Sequence, residues 1–586
     1  MKNWRKALAL ALCTLMVGST VACMGPVGGG NSTGGNNSTS NAGGGNNTSV
    51  DGGNNSTDAG NSAEQGSSDK TQINVFHFFA GFGDDWILEL AKNFEEKVKD
   101  IEFEPGKKGV DVIPKGDMKD FTSTQIKSGQ YDVYFLEGPK DFLNIMADGA
   151  VEPLDSIMTT PNAEDNNQTI EEKMTAQQKE FYNYNGHYYG IPHYAGNYGI
   201  VYNKDMFDER GFYIAETPDD DGNILISASN PTKSAGPDGK KGTEDDGLPR
   251  TYDEFFDLCV EINAAGVDPV CFPGQFTQQH LTLLLDNLVA AHEGVEGMLP
   301  NYTFSGTAEL VVIQNGKIKR DAKGNPVTES VEITEENAYL LARQEGRYYA
   351  MDFLTRLLSD TDYYNEADGE NTAVSHIQNQ QKFLENESRG KRPSAMLIDG
   401  TWWQMEADDA FTTMAKRDEK YSKDNRRFGW MPLPQATEEE AAKVANGTKK
   451  SVFSDYLNAV ACIKSGLPEG VKKAALAFLQ YAYTDEALAN FTYTTATTIG
   501  LDYLDAIDYS KLNYYEKSLI SYIQNSDLIY QVPTSALYAK NMATLTPSRK
   551  YGSGDYASID AAVWEEELTA EEYFLGHQDF FKGCAW

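Results

Sequence analysis

The chain has 586 residues, 50 Lys and Arg against 87 Asp and Glu, a formal net charge of -37 and six cysteines. This length is enough for two sizeable cores, and six cysteines are too few for a disulfide scaffold. The negative charge excludes nucleic acids and anionic membrane surfaces as binding partners, because proteins bind both through Lys and Arg.

The N-terminus, residues 1–22, is predicted to be a lipoprotein signal peptide. Basic residues precede an apolar run over 7–17 that is too short to span a bilayer, and small residues follow it. Residues 20–23 (TVAC) resemble a bacterial lipobox, in which Cys23 becomes the lipidated first residue of the mature protein. Thr20 stands where Leu is usual, and plain signal cleavage is the alternative. Residues 23–70, rich in Gly, Asn and Ser, are predicted to be a flexible tether.

Short apolar strands then alternate with amphipathic helices, which is typical of an α/β fold with parallel strands. The predicted strands are 73–79, 111–113, 131–136, 198–202, 269–272, 395–398 and 457–463. The predicted helices are 86–98, 118–128, 140–148, 204–209, 251–265, 278–292, 335–359, 402–411 and 470–484. Residues 309–319 and 329–334 are predicted to form a β-hairpin.

The sequence carries no motif typical of an enzyme. Its seven His are scattered, and it lacks H-E-x-x-H, G-x-S-x-G and G-x-x-x-x-G-K-[ST] patterns. With 87 acidic residues, pairs of carboxylates arise by chance, so they do not indicate a glycosidase. We therefore expect a protein that is not an enzyme.

An acidic stretch over 216–248 suggests a structural calcium site. Calcium takes six to eight oxygen ligands, and Asp residues separated by Gly allow a loop to wrap one ion. The candidate ligands are Asp219, Asp221, Asp238, Asp245 and Asp246. The spacing is not that of an EF-hand, since the Glu at its twelfth position is missing. A solvated acidic loop without a cation is the alternative.

Aromatic and polar side chains follow the ends of several predicted strands. Ligands of α/β sheets bind beyond the carboxyl ends of strands, where aromatic rings stack on the apolar faces of sugars and carboxylates and amides bond their hydroxyls. The candidate ligand-binding residues are Phe79, Phe82, Asp84, Asp85, Glu137, Tyr194, Asn197, Gln275, Phe276, Trp402, Trp403 and Tyr456. Core packing is the alternative for any single aromatic. Trp402 and Trp403 are adjacent and point in different directions, so we do not expect both to be fully buried.

Several segments resemble a known family. Residues 189–192 (YGIP) and 199–207 (GIVYNKDMF) are similar to the hinge signature of extracellular solute-binding proteins of ABC importers, in the maltose-binding-protein-like sugar-binding group (family 1). Further matching segments, in the family's order, are 249–255, 395–402, 429–434 and 475–487. The signal peptide, lipobox and spacer fit the lipoprotein form of bacteria that lack an outer membrane.

The resemblance implies a two-lobe periplasmic-binding-protein-like fold (type II), with discontinuous lobes joined by a hinge. Lobe one is expected at 71–193 plus 457–499, and lobe two at 194–456 plus 500–586, with insertions at 216–248 and 305–334. It implies that Trp402 stacks on a sugar, that Asp84, Asp85 and Glu137 make polar contacts, and that Phe276 lies where a family aromatic often stacks. The Tyr-rich tail after residue 500 matches no family motif.

The predicted function is capture of a carbohydrate, specifically an oligosaccharide, by lobe closure and its delivery to ABC permease subunits. The protein is expected to be a monomer, held on the extracellular face of the cell membrane by its lipid anchor alone. A secreted glycan hydrolase and a surface glycan-binding adhesin without transport are the alternatives. Buried free thiols are expected at Cys259, Cys271, Cys462 and Cys584, with a Cys259–Cys271 bridge as the alternative.

Overall fold

The computed structural model describes residues 69–138, 142–220, 222–530 and 558–583. The predicted signal peptide, Cys23 and nearly all of the tether lie outside these residues, as do Asp221 and Cys584. Within the described part of the chain, no helix combines the length and apolar character needed to cross a membrane.

The first lobe is built on a five-stranded sheet. Its strands are, in spatial order, Val110–Asp117, Thr71–Phe78, Val133–Leu136, Val460–Ile463 and Ile191–Pro192. The first three are parallel, whereas Val460–Ile463 is antiparallel to both of its neighbours. Apolar side chains of these strands, such as Ile73 and Val75, are fully buried, as the apolar runs in the sequence predict.

Helices pack their apolar faces on this sheet to form the first core. They are Asp85–Lys97, Ser123–Ser128, Phe142–Ala147, Asp155–Met158, Ala176–Phe181, Glu469–Ala482 and Asp485–Thr495. Short 3-10 helices lie at Glu171–Lys173, Leu504–Ala506 and Tyr509–Lys511. In Asp85–Lys97 the buried residues are spaced three and four apart, which is the amphipathic pattern that predicts this helix.

The second lobe is built on a four-stranded sheet with its own cores. Its strands are, in order, Asp268–Cys271, Ser394–Gly400, Tyr198–Asn203 and Phe428–Met431. The first two are parallel, and Tyr198–Asn203 is antiparallel to both of its neighbours. Two sheets with separate cores confirm the predicted two-lobe α/β fold.

The second lobe carries most of the remaining helices. They are Lys204–Arg210, Tyr252–Ala264, Thr277–Met298, Pro300–Thr303, Glu345–Ser359, Glu366–Gly369, His376–Glu385, Trp403–Glu406, Asp408–Ala415, Glu438–Ala445, Tyr514–Gln524, Ile559–Trp564 and Ala570–Gly583. Further 3-10 helices are Gly274–Phe276, Ala338–Arg343, Glu387–Arg389 and Glu419–Tyr421. The Thr251 side chain caps Tyr252–Ala264 by accepting a hydrogen bond from the Glu254 amide.

Short ladders complete the structure. The predicted hairpin insertion is confirmed by the antiparallel pairs Gly306–Val311 with Thr328–Ile333 and Ile313–Gln314 with Lys317–Ile318. The other pairs are Glu102–Glu104 with Lys107–Lys108, Asn183–Tyr184 with His187–Tyr188, Tyr194–Ala195 with Thr498–Ile499, and Ser451–Asp455 with Ser526–Tyr530.

Two predicted helices are each interrupted in the structure. The predicted helix 335–359 is a 3-10 helix at Ala338–Arg343 followed by an α-helix that begins at Glu345. Gln344 between them has ψ 142°, an extended conformation that no helix continues through. The predicted helix 402–411 is divided into Trp403–Glu406 and Asp408–Ala415, with Ala407 between them at ψ 4°.

In the described residues up to 530, the chain passes between the two sheets at three places. The first lies between Pro192 and Tyr198, the second between Asp455 and Val460, and the third follows the strand Thr498–Ile499. The lobe boundaries stay a prediction. Residues 500–586 were assigned to lobe two, yet the side chains of Leu501 and Tyr503 pack in the first core.

Three cysteines of the described residues are free and buried. They are Cys259, Cys271 and Cys462. Burial raises the pKa of each thiol, which keeps it in the unreactive protonated form. The alternative Cys259–Cys271 bridge is therefore not formed in this structure.

Candidate functional site

Trp402 lies where the two lobes meet. The buried central strand Ser394–Gly400 ends two residues before it, and a short helix begins directly after it. Its half-buried indole packs against the core of the first lobe. A Cβ placed on Gly81 would lie 2.9 Å from Trp402 Cδ1, and one on Gly196 would lie 2.6 Å from Trp402 Cζ3. Glycines from lobe one and from the first crossing therefore make room for this ring.

Aromatic rings from both lobes and the crossings surround Trp402. Phe82 stacks on Tyr194, with ring centroids 4.2 Å apart and an interplanar angle of 10°. Trp402 lies 6.4 Å from Phe82 and 5.3 Å from Tyr198, centroid to centroid. Tyr198 in turn lies 6.2 Å from Tyr456. These five residues, which we call the aromatic cluster, join the ends of both sheets.

Two carboxyl groups lie beside Trp402, of which Asp399 is buried and Glu406 is half-buried. The Gln380 amide donates to Asp399 Oδ2 at 3.0 Å and to Glu406 Oε2 at 2.9 Å. Glu406 also accepts a hydrogen bond from Trp402. Burial, with a smaller contribution from the charge of Asp399, raises the pKa of Glu406 to about 8. A protonated Glu406 beside an acceptor carboxylate can both donate and accept hydrogen bonds, as recognition of hydroxyl groups requires.

His280 brings a further polar group to this place. It is buried, its ring lies 5.0 Å from that of Tyr198 at 84°, and its Nε2 is 3.8 Å from Asp399 Oδ1. Its Nδ1 lies 3.2 Å from the Phe276 carbonyl oxygen. Nε2 has no hydrogen-bond partner among the described residues. A buried nitrogen without a partner costs stability, which is common where a ligand supplies the partner.

The predicted lobe-one residues lie at or near the aromatic cluster. Phe82 and Tyr194 belong to it and are buried. Asp84 is half exposed, and its Oδ1 lies 3.0 Å from His77 Nε2. Glu137 is half-buried. Burial, followed by the negative charge of Glu137, raises the pKa of Tyr194 and of Tyr456, which places this carboxylate near both phenols.

The other predicted residues lie at the edges of the site or support it. Phe79 and Asp85 are exposed, and so is Gln275, which lies in the 3-10 helix Gly274–Phe276. Phe276 is half-buried and packs against the ring of His376 at 5.4 Å. Asn197 is buried, and its Oδ1 accepts a hydrogen bond from the Tyr198 amide at 2.9 Å, so it fixes the first crossing.

Trp403 does not lie in the cleft. It is fully buried and packs against the rings of Phe428 and Tyr515, at 5.1 and 5.6 Å. Successive side chains at the start of a helix point about 100° apart. Trp402 therefore faces the first lobe, while Trp403 is buried in a core of the second lobe. The structure therefore removes Trp403 from the candidate ligand contacts.

The sequence prediction missed five residues of the site. They are Tyr198, His280, Gln380, Asp399 and Glu406. Tyr198 and Glu406 carry a signal that could have been used, since one begins a predicted strand and the other lies four residues after Trp402. Gln380 and His280 lie on helices without any local pattern that marks them, and the packing of the lobe brings them in.

The acidic loop holds itself together with hydrogen bonds. The Asp238 amide donates to Asp245 Oδ2 at 2.9 Å, the Gly242 amide donates to Asp246 Oδ2 at 2.7 Å, and the Asn223 amide donates to Asp219 Oδ1 at 2.9 Å. Among the described residues, no three His, Cys, Asp or Glu side chains are placed to hold a metal ion. These carboxylates thus accept hydrogen bonds from backbone amides of the loop, and calcium binding stays a prediction.

Residues 83–341 match the family model described as bacterial extracellular solute-binding protein. This region is therefore similar to bacterial extracellular solute-binding proteins. The match includes the strand Tyr198–Asn203 and the helix Thr277–Met298, which supply Tyr198 and His280. No match was found among curated proteins by sequence.

Three solved structures are similar to this chain. A chitin oligosaccharide binding protein is 17% identical with a TM-score of 0.50, covering 88% of this chain and 98% of its own. The GacH receptor of Streptomyces glaucescens, described with acarbose, is 15% identical with a TM-score of 0.47 and coverages of 88% and 100%. The substrate-binding protein Lmo0181 of Listeria monocytogenes, in complex with cycloalternan, is 13% identical with a TM-score of 0.47 and coverages of 88% and 98%.

Proposed function

We propose that the protein captures an oligosaccharide between its lobes and delivers it to the permease of an ABC importer. The observation that carries the proposal is the position of Trp402, a second-lobe ring that lies against Gly81 and Phe82 of the first lobe. Flat aromatic faces bordered by carboxyl, amide and imidazole groups suit sugar rings, whose faces are apolar and whose edges carry hydroxyls.

The fold supports capture by closure. The lobes are connected at these crossings, about which they can rotate as rigid bodies. A ligand that contacts groups of both lobes binds the closed form more tightly than the open form and shifts the population toward it. The resemblance in fold to a chitin oligosaccharide binding protein agrees with a chain of sugar units as the ligand. We infer capture without catalysis.

The location of the protein is part of the proposal. We infer that the chain is anchored to the outer face of the cell membrane through a lipid on Cys23, with residues 24–70 as the tether. A signal peptide, a lipobox-like segment and a Gly/Asn/Ser spacer follow one another in the sequence, in the order that an anchored protein requires. Metabolic labelling with a clickable fatty acid tests this, and Cys23→Ala should abolish the label and release the protein into the medium.

Calorimetric titration with a glycan panel tests the ligand class. The panel contains chitin oligosaccharides, malto-oligosaccharides and their monosaccharides, with a tripeptide as a control. Binding of at least one oligosaccharide more tightly than its monosaccharide supports the proposal. Binding of the peptide with no carbohydrate would reject the sugar assignment, and release of new reducing ends from a bound glycan would indicate a hydrolase instead.

A further inference from the structure

The strand Ser526–Tyr530 belongs to the tail that resembles no family motif, yet it touches both lobes. It pairs in parallel with Ser451–Asp455, the strand that leads into the second crossing. Two adjacent side chains of this strand are buried in different cores: Ile529 in the core of the second lobe and Tyr530 in the core of the first lobe. One short strand is therefore fixed to the two bodies that must move relative to each other.

Tyr530 is bonded to the first lobe in two ways. Its hydroxyl forms a hydrogen bond with that of Tyr182, and its backbone amide donates to Gln177 Oε1 at 3.1 Å. The Tyr182 hydroxyl also donates to the carbonyl of Ala459, in the second crossing, at 3.1 Å. Tyr182 and Tyr530 are both fully buried, so water does not replace these bonds and their loss carries the full cost of an unpaired group.

Asp455, the residue that pairs with Tyr530, ties two crossings together. Its Oδ1 accepts from the amide of Gly196 in the first crossing and from that of Leu457 in the second, each at 3.1 Å. The Tyr456 amide donates back to the Gly196 carbonyl at 3.0 Å. Burial raises the pKa of Asp455 to about 7 despite these bonds. Burying a carboxyl group lowers the stability of the fold. The groups that donate to this one are backbone amides of the first and second crossings.

We propose that Tyr530, Tyr182 and Asp455 form a brace across the hinge that sets how far the lobes open. They are positioning residues, because none of them belongs to the aromatic cluster that borders the cleft. The brace acts whichever solute binds, so it stands or falls separately from the carbohydrate assignment. It also gives the Tyr-rich tail a role, namely to connect the second lobe to the first beside the crossings.

Hydrogen exchange of the ligand-free protein tests the brace. The segments 79–83 and 400–403 meet across the cleft, far along the chain from Tyr530, and the Thr401 amide donates to the Asn197 carbonyl at 2.9 Å. In Tyr530→Phe we expect exchange of these segments and of 193–197 and 455–459 to rise about fivefold, the effect of losing roughly one hydrogen bond. A purely structural role of Tyr530 would raise exchange only around residue 530.

Tyr213→Phe is the matched control. It removes an equally buried phenol, which donates to Asp208 Oδ1 at 2.6 Å wholly inside the second lobe, and should leave exchange at the cleft unchanged. Tyr182→Phe and Asp455→Ala, which removes the Oδ1 acceptor, should reproduce the effect of Tyr530→Phe, so the test survives poor folding of one variant. Unchanged cleft exchange in the folded variants, or an equal rise in Tyr213→Phe, would overturn the proposal.

Discussion

Trp402 of the second lobe fills the space that Gly81 of the first lobe leaves by having no side chain. Gly81 has φ +73°, and a Cβ on it would lie 2.9 Å from Trp402 Cδ1. The contact joins the segments that follow the first strand of lobe one and the central strand of lobe two. It links the closure of the lobes directly to the ring that we expect to stack on the ligand.

Gly81→Ala should weaken oligosaccharide binding. The substitution places a side chain in a left-handed conformation that L residues rarely adopt, and it pushes the Trp402 ring away. We expect a loss of affinity of at least about tenfold, or 1.4 kcal/mol, measured by calorimetry. Gly83→Ala is the control, since Gly83 has a similar φ of +67° but nothing within 4 Å of its Cβ position; an equal loss there would contradict the role of the contact with Trp402.

The adjacent tryptophans should respond oppositely to substitution. Trp402→Ala removes the ring in the cleft and should lower oligosaccharide affinity by at least about tenfold with a small change in melting temperature. Trp403→Ala leaves a cavity in the second core and should lower the free energy of unfolding by about 3–5 kcal/mol. Denaturant unfolding and calorimetry on both variants check this; a large loss of stability in Trp402→Ala with unchanged affinity would reverse the assignment.

Glu406 should make stability depend on pH. Its pKa is raised from the ordinary 4.5 to about 8 in the folded state, first by burial and then by Asp399. The folded protein therefore binds this proton more tightly than the unfolded chain does. The resulting stability is complete below pH 4.5 and is lost as pH rises through 8, by an amount on the order of a few kcal/mol. Glu406→Gln should flatten this decline in urea unfolding measured between pH 5 and 9.

A persistent decline in Glu406→Gln would contradict that assignment. Two other carboxyl groups, Asp286 and Asp455, also have pKa values raised to about 7 by desolvation, so the variant should reduce the slope and leave part of it. Asp455→Asn provides the matched comparison. The two variants should remove separate portions of the decline, because distant groups contribute independently.

The acidic loop makes a test of calcium possible. If a cation binds there with the help of Asp221, adding EDTA should lower the melting temperature and calcium should restore it, since a ligand of the folded state alone stabilises it. If the loop is held by its own amide hydrogen bonds, as at Asp238, Asp245 and Asp246, the melting temperature will not respond. Asp245→Asn distinguishes the two by abolishing any calcium response.

The spacing of apolar residues predicted helices and strands well where a single apolar face or a continuous apolar run determines the secondary structure. The strand Thr71–Phe78 and the helix Asp85–Lys97 were predicted within two residues of their bounds. The predicted helix over 335–359 was too long because the apolar spacing continues through Gln344, whose backbone is extended. The side-chain amide of Gln344 donates a hydrogen bond to the Gly297 carbonyl oxygen, a tertiary contact that the local pattern does not reveal.

The site was predicted only in part, for a physical reason. Trp402, Phe82 and Glu137 follow the ends of strands. Because ligands of α/β sheets bind beyond the carboxyl ends of strands, the sequence is enough to predict that these residues lie near the site. Sequence does not tell which of two adjacent tryptophans faces the core, and it does not reveal that Gln380 joins Asp399 to Glu406 across 19 and 26 residues. Such contacts depend on the packing of the whole lobe.

A crystal structure with the tightest-binding oligosaccharide of the panel is the decisive test of capture by closure of the lobes. We expect a sugar ring stacked on the Trp402 indole, with hydroxyls bonded to groups such as Glu406 and His280, and with both lobes in contact with the ligand. An oligosaccharide bound outside the cleft, or one held by a single lobe without contact to Trp402, would contradict capture by closure.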